Sequence, residues 1–281
     1  MLLIDQERSG DIVISQFKEA FLEDEVVEST GNSVSVLFID VETTGVSFEN
    51  DRVIQLACRP VLFDSSTGRP TRLMNSRTFY NDPGKEISEE ITALTGVTNE
   101  DVRGKSIDWA WVSKIISKVD FVVAHNARFD RHFIKKHMIE SDLVMPETIW
   151  ACSMQQVNWR KIGCTAGRSL ETLSAWHGFY YGAHDAAVDV DAMIYLLLKS
   201  NTVNTLLDTA KKSQWRVFAV KFPRGKNDEI KCRGYRWDPD VMSWWCGFEV
   251  HEEAIAESEW LVNNFSIEPQ LFELKPNHLF D

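Results

Sequence analysis

The sequence predicts an α/β fold in which helices flank a mixed β-sheet, followed by a small C-terminal α+β domain. Two observations predict the main fold: three closely spaced strand-like segments come first, and helical and strand-like patterns then alternate. Beyond residues 200–214 the chain changes character, with short strand-like segments rich in Trp, Arg and Tyr. We therefore expect an acidic N-terminal segment over residues 1–33, a main domain over 34–203 and a small aromatic-rich domain over 214–281.

The length and composition fit a globular protein with its own hydrophobic core. The chain has 281 residues, of which 44% are hydrophobic, and it has no run of about 18 apolar residues that would cross a membrane. Its first residues, MLLIDQERSG, lack the basic and apolar regions of a secretion signal. The five cysteines include no CxxC pair and no metal-ligand spacing, so we expect reduced cysteines in a cytoplasmic protein without a membrane partner.

The net charge of −12 is concentrated at the two ends of the chain. Residues 1–33 carry −6 and residues 246–281 carry −7, so the remainder has a net charge of +1. Because a nearly neutral body can hold a basic groove, the overall acidity does not exclude a nucleic-acid partner. The acidic ends suit solubilisation or a protein partner, and Ile14, Phe17 and Phe21 predict a weak helix in the first of them.

The main domain begins with three predicted strands. Val34 leads into VLFID, and the segments VIQLACRPVLF and SRTFY have the apolar content of two more strands. The segment DSSTGRPT before the third strand is rich in Ser, Thr, Gly and Pro, which indicates a turn. Short connections between consecutive strands predict a meander.

Helical and strand-like patterns alternate after this meander. Apolar residues recur at helical spacing in IDWAWVSKIISKV, and the strand FVVAHN runs directly into the helix DRHFIKKHM, which predicts a crossover between parallel strands. SLETLSAWHG offers Ser169 as an N-cap and Gly178 as a C′ residue, and DAAVDVDAMIYLLLKS predicts a last long helix. This order of elements predicts a mixed sheet covered by helices.

Two carboxylates, Asp40 and Glu42, end the first predicted strand in the sequence VLFIDVETTG. Residues two apart in a strand share a face, so these side chains should lie side by side while Val41 faces away. Either a bound cation or exposure to water at the strand end would relieve their repulsion. Asp130 in HNARFD and Asp189 in HDAAVD are two further carboxylates, at strand ends and helix starts where open α/β sheets build sites.

Four converging carboxylates would strongly disfavour joint ionisation without a counterion. Hard divalent cations that prefer oxygen ligands relieve this repulsion, and Mg²⁺ or Mn²⁺ are the natural choices. The sequence therefore predicts a site for two such ions, of which Asp40 and Glu42 form the first half.

The segments DVETTG, HNARFD and HDAAVD, in this order and spacing, resemble the three motifs of the DnaQ-like 3′–5′ exonucleases, in the branch with four acidic ligands and a histidine. ITALTGVTNEDV and MPETIWACSM add similarity to members of the exonuclease X type, and the resemblance covers about residues 34–200. It implies an RNase H-like mixed sheet. It also implies that Asp40 bridges both metals, that the other three acids complete the cage, and that His184 is the general base.

Several of these residues also have simpler interpretations. His184 could be a helix-entry residue before an Asp185 N-cap, and its distance of five residues from Asp189 places the two off one helical face. Asn126 either satisfies local backbone groups or, by the resemblance, supports the site. The three residues after Glu42 either form a plain turn or approach a terminal nucleotide; they are Thr43, Thr44 and Gly45.

The C-terminal region has seven basic and four acidic residues between positions 215 and 245. Basic residues interleaved with aromatic ones, among them Trp237 and Trp244, suit a platform for single-stranded nucleic acid. The alternative is a small domain whose tryptophans form its core. Some of these rings must be core in so short a unit.

The function that the sequence predicts is a metal-dependent 3′–5′ exonuclease that acts on nucleic acid, preferably DNA, and releases nucleoside monophosphates. The expected partner is single-stranded DNA or a 3′ end. Two alternatives stay open: an RNA or oligoribonucleotide 3′–5′ exonuclease, because discrimination of the 2′-OH depends on contacts that a sequence does not reveal, and a non-catalytic nucleic-acid-binding or polymerase-accessory module. The complete set of four acids and a histidine counts against the second.

Overall fold

The computed structural model describes residues 13–280, which form two compact units. The first comprises residues 13–210 together with residue 280, and the second comprises Lys211–Leu279. The first unit contains, in chain order, β1 (Ser15–Gln16), α1 (Ala20–Glu23), β2 (Ser33–Thr43), β3 (Val53–Asp64), β4 (Pro70–Leu73), β5 (Arg77–Tyr80), α2 (Glu89–Thr95), α3 (Asn99–Val102), α4 (Trp109–Ile116), β6 (Phe121–Ala124), α5 (Ala127–Glu140), β7 (Ile149–Cys152), α6 (Leu170–Trp176), β8 (Phe179–Tyr180), α7 (Ala186–Lys199) and α8 (Val203–Ala210).

The main sheet of the first unit has the order β4-β3-β2-β6-β7, with β5 also paired to β3. β2 pairs antiparallel with β3 along its length, and parallel with β6 over residues 36–38. β7 continues the parallel part by pairing with β6. The predicted mixed sheet flanked by helices is therefore confirmed, and so is the parallel crossover after FVVAHN.

The two central strands of the main sheet, β2 and β3, are buried on both faces. The two central strands bring near-continuous apolar runs to the core, with Val36, Phe38 and Phe63 less than 2% exposed, as expected for strands covered on both faces. α7 packs against β2 and β3 and contributes Val190, Met193 and other apolar residues to the same core. The helix that positions Asp189 is therefore anchored on the strand that carries Asp40 and Glu42.

Ser169 and Gly178 set the two ends of α6 through local interactions. The Ser169 side chain accepts a hydrogen bond from the backbone N–H of Thr172, and Gly178 lies one residue past the C-cap with a φ of +82°. Both assignments made from the sequence are confirmed. Glycine reaches this left-handed region without the steric penalty of a Cβ.

Two predictions of secondary structure differ from the structure. The turn predicted in the DSSTGRPT segment is present at residues 65–67, but Pro70 and Thr71 at the end of the segment belong to β4, which pairs with β3. The helical spacing of Ile14, Phe17 and Phe21 also misleads, because β1 covers Ser15–Gln16 and α1 is a single turn. Pairing with β8 supplies hydrogen bonds that outweigh the weak local preference: Ser15 N–H donates to Gly178 O and Phe17 N–H to Tyr180 O.

The described part of the acidic N-terminal segment lies against the first unit; residues 1–12 lie outside the described residues. Leu22 is fully buried in the main core, and Phe17 and Phe21 both contact the ring of Tyr195 on α7. The Glu19 carboxylate pairs with Arg59 on β3. This segment is thus fixed by packing and by an ion pair on the unit that carries the acidic residues.

The second unit is a four-stranded antiparallel sheet with two helices. The elements of this unit are β9 (Gln214–Ala219), α9 (Asn227–Cys232), β10 (Arg236–Asp238), β11 (Ser243–Phe248), α10 (His251–Phe265) and β12 (Gln270–Leu274), followed by a 3₁₀ turn (Pro276–His278). The strand order in the sheet is β10-β11-β9-β12. A single cluster of buried residues, including Val217, Ile230 and Leu261, joins the sheet to both helices.

Across residues 13–280, no helix combines the length and the apolar character that a membrane crossing requires. All five cysteines are free thiols.

Candidate active site

Asp40 and Glu42 lie at the end of β2, beyond the part of this strand that pairs with β6. Both carboxylates are half-buried, whereas Val41 between them is 5% exposed. The alternation of a strand therefore places the two acids on one face, as the sequence predicts. The register of β2 against β3 shifts between Glu42 and Thr43, so the strand becomes irregular directly after the second acid.

α7 brings Asp189 to these two acids. One carboxylate oxygen from each of Asp40, Glu42 and Asp189 lies within 4.8 Å of the others. The start of α7 is held by a hydrogen bond of 3.2 Å from the Ala186 N–H to Oε1 of Gln55, and Gln55 is the β3 partner of Glu42. The tertiary packing of α7 thus joins residues almost 150 positions apart in the chain.

The fourth predicted ligand, Asp130, lies on the first turn of α5 and is 3% exposed. Its Oδ1 accepts a hydrogen bond of 3.1 Å from the backbone N–H of Val41. The carboxyl of Asp130 is therefore held beside the residue between Asp40 and Glu42, although it is not among the three acids that meet within 4.8 Å.

Burial and mutual repulsion raise the pKa values of all four carboxyls. The pKa of Asp40 is well above its usual range because of desolvation and then because of Asp130 and Asp189. Desolvation, followed by the charges of Asp189 and Asp130, raises the pKa of Glu42 to about 8. Desolvation also raises the pKa of Asp130 to about 7. Desolvation raises the pKa of Asp189 to about 6, although Tyr181 and His184 both act to lower this pKa.

These carboxylates fit a site for hard divalent cations. The Oδ2 atom of Asp189 is buried and has no hydrogen-bond partner among the described residues. Buried polar atoms are almost always paired with a hydrogen-bonding group or an ion. An unpaired carboxylate oxygen beside Asp40 and Glu42 therefore fits a position that binds a cation. All the donors are carboxylate oxygens, the type that Mg²⁺ and Mn²⁺ prefer.

His184 precedes α7 and has a backbone φ of +67°, in the left-handed region that a histidine adopts only infrequently. The Asp185 side chain caps α7 by accepting a hydrogen bond from the Ala187 N–H. The simpler interpretation, a helix entry with an Asp185 cap, therefore describes the local structure correctly. His184 is half-buried on the loop before the helix, close enough to Asp189 to lower the pKa of that carboxyl.

Tyr181 is a residue of the site that the sequence did not single out. Its hydroxyl donates a hydrogen bond of 2.8 Å to Oδ1 of Asp189. Burial raises the pKa of Tyr181 far above its usual value, so its hydroxyl remains a donor. The eight-residue spacing to Asp189 is no known local signal, and only the fold of the loop between β8 and α7 brings the two together.

The predicted nucleotide-contacting residues next to the acids make local contacts. Thr43 Oγ1 donates to Gly45 O at 2.6 Å, and Thr44 Oγ1 donates to Asp51 Oδ1 at 2.8 Å. A Cβ on Gly45 would lie 2.5 Å from Asp51 Oδ2, so this glycine is required for the packing of its own turn. Asn126 is exposed at the N-cap of α5 and makes no side-chain cap.

The two tryptophans singled out from the sequence belong to the second unit. They face each other across β10 and β11, with ring centroids 5.6 Å apart. Trp244 packs against the core cluster of this unit, whereas Trp237 is 46% exposed. Some of the tryptophans are therefore core, as so short a unit requires.

The first unit is similar in sequence to known exonuclease domains. The RNase_T family, whose description is exonuclease, matches residues 37–197. A DNA polymerase III PolC-type protein of Mycoplasmopsis pulmonis is 28% identical over 158 residues, which are 55% of this chain and 10% of that protein. The 3′-5′ exonuclease DinG of Bacillus subtilis is 30% identical over 119 residues, which are 41% of this chain and 12% of that protein. The chain thus spans about a tenth of the length of these curated relatives.

Solved structures show the same fold. The zinc-bound complex of E. coli exonuclease I with single-stranded DNA has a TM-score of 0.52 to this chain at 15% identity, and the match covers 87% of this chain and 64% of that one. At this level of identity the likeness concerns the arrangement of strands and helices.

Proposed function

The chain belongs to the RNase_T exonuclease family, and on that premise we propose that it is a metal-dependent 3′–5′ exonuclease that hydrolyses DNA and releases nucleoside monophosphates. One observation carries this proposal: Asp40, Glu42 and Asp189 meet within 4.8 Å at the end of the central strand. A cluster of three carboxylates with raised pKa values is unfavourable by itself and is explained by a bound cation.

The four acids hold the cations in this proposal. Asp40, Glu42 and Asp189 supply oxygens to a shared position, and Asp130 adds a carboxylate that the Val41 amide orients. Bound divalent ions supply charge that activates a water molecule and stabilises the leaving 3′ oxygen of a phosphodiester. The family and the acidic cluster support divalent ions in general, and we propose two Mg²⁺ or Mn²⁺ ions.

His184 accepts the proton of the attacking water in this proposal. Its side chain lies on the loop that joins β8 to α7, next to the helix that carries Asp189. A neutral imidazole accepts a proton near neutral pH, and a base of this kind typically contributes about 10²- to 10⁴-fold to a rate. Thr43, Thr44, Gly45 and Asn126 border the acids and are proposed to contact the terminal nucleotide.

The preference for DNA rests on the relatives, which are a DNA polymerase III and an exonuclease, DinG. An RNA or oligoribonucleotide 3′–5′ exonuclease remains the second candidate, since the same acidic cluster cleaves either backbone and the 2′-OH decides the choice. A non-catalytic binding module would not need four buried carboxyls, and their presence favours an enzyme.

A nuclease assay tests the proposal directly. Single- and double-stranded DNA and RNA, labelled at the 5′ end, are incubated with the protein and Mg²⁺, Mn²⁺ or EDTA. We expect a ladder of 5′-labelled products that shortens from the 3′ end, mononucleotide release, and faster cleavage of DNA than of RNA. EDTA and the Asp40→Asn substitution should abolish the ladder.

The matched control is Asp142→Asn, which removes an exposed carboxylate. Asp142 has a left-handed backbone conformation, which asparagine tolerates. This variant should cleave like the parent. Full activity in EDTA, or in Asp40→Asn, would exclude the proposed chemistry, and faster cleavage of RNA would favour the second candidate.

A further inference from the structure

Both helices of the second unit pack on one face of its sheet. The core cluster contains Val217 and Ala219 of β9 together with residues of α9 and α10. Alternate residues of the neighbouring strands face the same way, among them Trp244 and Leu271. The side chains that point away from this cluster therefore form a second face, which neither helix of the unit covers.

This second face carries aromatic rings on three adjacent strands. Phe218 of β9, Trp245 of β11 and Phe272 of β12 are all absent from the core cluster. Phe218 is the direct strand partner of Trp245, and its ring lies 5.7 Å from that of Phe272, edge to face. We call these three residues, with Arg216 and Arg236, the aromatic face.

The rings of the aromatic face are accessible to a partner. Phe272 is 49% exposed, and Phe218 and Trp245 are half-buried. The Arg216 guanidinium covers part of the Trp245 ring, 4.6 Å from its centre, whereas Gly247 beside that ring has no side chain to cover the rest. Large apolar rings of this kind in water are unfavourable and typically mark a binding surface.

The charges of the unit favour a polyanionic partner on this side. Arg236 is the strand partner of Trp245, and Arg216 is the strand partner of Phe272, so each arginine stands beside a ring. Asp238 on β10 is the acidic residue of the same face. On the opposite side, α10 carries four acidic residues and no Lys or Arg, and α9 carries Lys231 together with Asp228 and Glu229.

We propose that the aromatic face binds single-stranded nucleic acid, with bases stacked on Phe272 and Trp245 and phosphates paired with Arg216 and Arg236. This inference deepens the proposed function, because it assigns a separate surface for the substrate strand. Every base has a π-face, so stacking of this kind tolerates any sequence, and the arginines track the phosphate backbone. A folded protein partner would not require a cation beside each ring.

The test compares aromatic rings with aliphatic side chains at the same positions. Binding of the full chain to a 5′-labelled oligothymidylate is measured by fluorescence anisotropy in EDTA, which prevents cleavage. Phe272→Leu and Trp245→Leu should each weaken binding roughly five- to 150-fold, which corresponds to about 1 to 3 kcal/mol of stacking per base. Phe272→Tyr and Trp245→Phe retain a ring and should stay close to the parent.

Two matched controls separate this face from the rest of the unit. Val262→Ala shortens an exposed apolar residue of α10 and should leave binding unchanged. Trp237→Ala removes the exposed ring near the core side, so a loss of affinity confined to this variant would move the site to Trp237 and overturn the proposal. The Arg236→Gln substitution should lower the slope of log affinity against log salt by about one unit, since one phosphate contact is lost.

The binding test of the aromatic face gives an answer whether or not the first unit is a nuclease. Cleavage of a dinucleotide reports on the acidic cluster alone and should be unchanged in the Leu variants, and circular dichroism checks that the second unit of these variants folds. Parental affinity in both Leu variants, or equal affinity of the parent for single strands and for blunt duplex with its stacked bases, would contradict the proposal. Loss of binding with no cleavage by the parent would leave the aromatic face standing and reject only the proposed nuclease activity.

Discussion

The Tyr181 hydroxyl donates a hydrogen bond of 2.8 Å to Oδ1 of Asp189, while Oδ2 of the same carboxylate is buried without a hydrogen-bond partner among the described residues. One oxygen is thus held by a neutral donor, and the other is the oxygen that we propose binds a cation. Tyr181 is also three residues from His184, so a single loop fixes the orientation of a proposed ligand and carries the proposed base.

The first prediction follows from this contact. Tyr181→Phe removes the hydroxyl that holds Oδ1 of Asp189, so the affinity for Mn²⁺ should fall roughly 10- to 100-fold, as is typical when a residue that orients a metal ligand is lost. Isothermal titration with Mn²⁺ measures the effect. The control is Tyr180→Phe, which removes the hydroxyl of the exposed neighbouring tyrosine and should bind Mn²⁺ like the parent. Equal affinity of all three proteins would show that the hydrogen bond has no part in metal binding.

The second prediction concerns stability against pH without metal. In the folded chain the pKa values of Glu42, Asp130 and Asp189 are raised to about 8, 7 and 6, whereas unfolded carboxyls titrate near about 4. Between these values the folded state binds more protons than the unfolded state. The stability from these groups is therefore fully present below about pH 4, and it is lost as the pH rises through the folded pKa values, up to about pH 8.

Thermal unfolding in EDTA should accordingly show a melting temperature that falls from pH 5 to pH 8, apart from other titrating groups. Saturating Mg²⁺ should remove most of this fall, because the ions bind the ionised carboxylates of the folded state. Asp189→Asn should flatten the EDTA profile and abolish the Mg²⁺ effect. Parallel profiles with and without Mg²⁺ would contradict a metal site at these acids.

The third prediction separates the proposed base from the metal ligands. His184→Asn suits the left-handed backbone at this position, so it removes the imidazole with little strain. Turnover should fall roughly 10²- to 10⁴-fold, whereas the Mg²⁺-induced rise in melting temperature should survive. His132→Asn, at an exposed histidine of α5, is the control and should retain turnover. Parental turnover of His184→Asn across pH 6 to 9 would assign the base to another group.

The fourth prediction concerns the buried ion pair between Arg59 and Asp191, whose side chains are 7% and 10% exposed. Arg59→Met leaves the Asp191 carboxylate buried without its cation, and the free energy of unfolding at pH 8 should fall by about 3 to 5 kcal/mol. Burial raises the pKa of Asp191 to about 6, so the loss should be smaller at pH 5, where this carboxyl can take up a proton.

Replacement of both partners, Arg59→Met with Asp191→Leu, should recover most of that loss, since no buried charge then remains. Arg69→Met is the control, because Arg69 pairs with Glu25 where the arginine is 46% exposed. Exposed pairs contribute about 1 kcal/mol or less. Chemical denaturation of the four proteins measures these differences, and a double variant as unstable as Arg59→Met would show that the arginine acts through packing.

Local patterns predicted the fold where each element has its own signal. The apolar run before Asp40 and the Ser169 cap act over a few residues, and both appear in the structure as expected. Failures occurred where a distant partner outweighed a weak local preference. Phe17 was expected in a helix, but the hydrogen bonds of β1 to β8, more than 160 residues away, decide its conformation.

The sequence by itself determined which residues could perform the proposed chemistry, because the residue types, the spacing of Asp40 and Glu42 and the order of the motifs are properties of the chain alone. Only the tertiary structure decided how these groups meet. The packing of α7 on β2 brings Asp189 within 4.8 Å of Asp40 and Glu42, and the loop before α7 brings Tyr181 to Asp189. In the second unit the two faces of the sheet decided that Trp244 packs in the core while Trp245 points away from it. The physical reason is that such contacts depend on strand register and helix packing, which are set by burial of the whole core and have no signal within a short window of sequence.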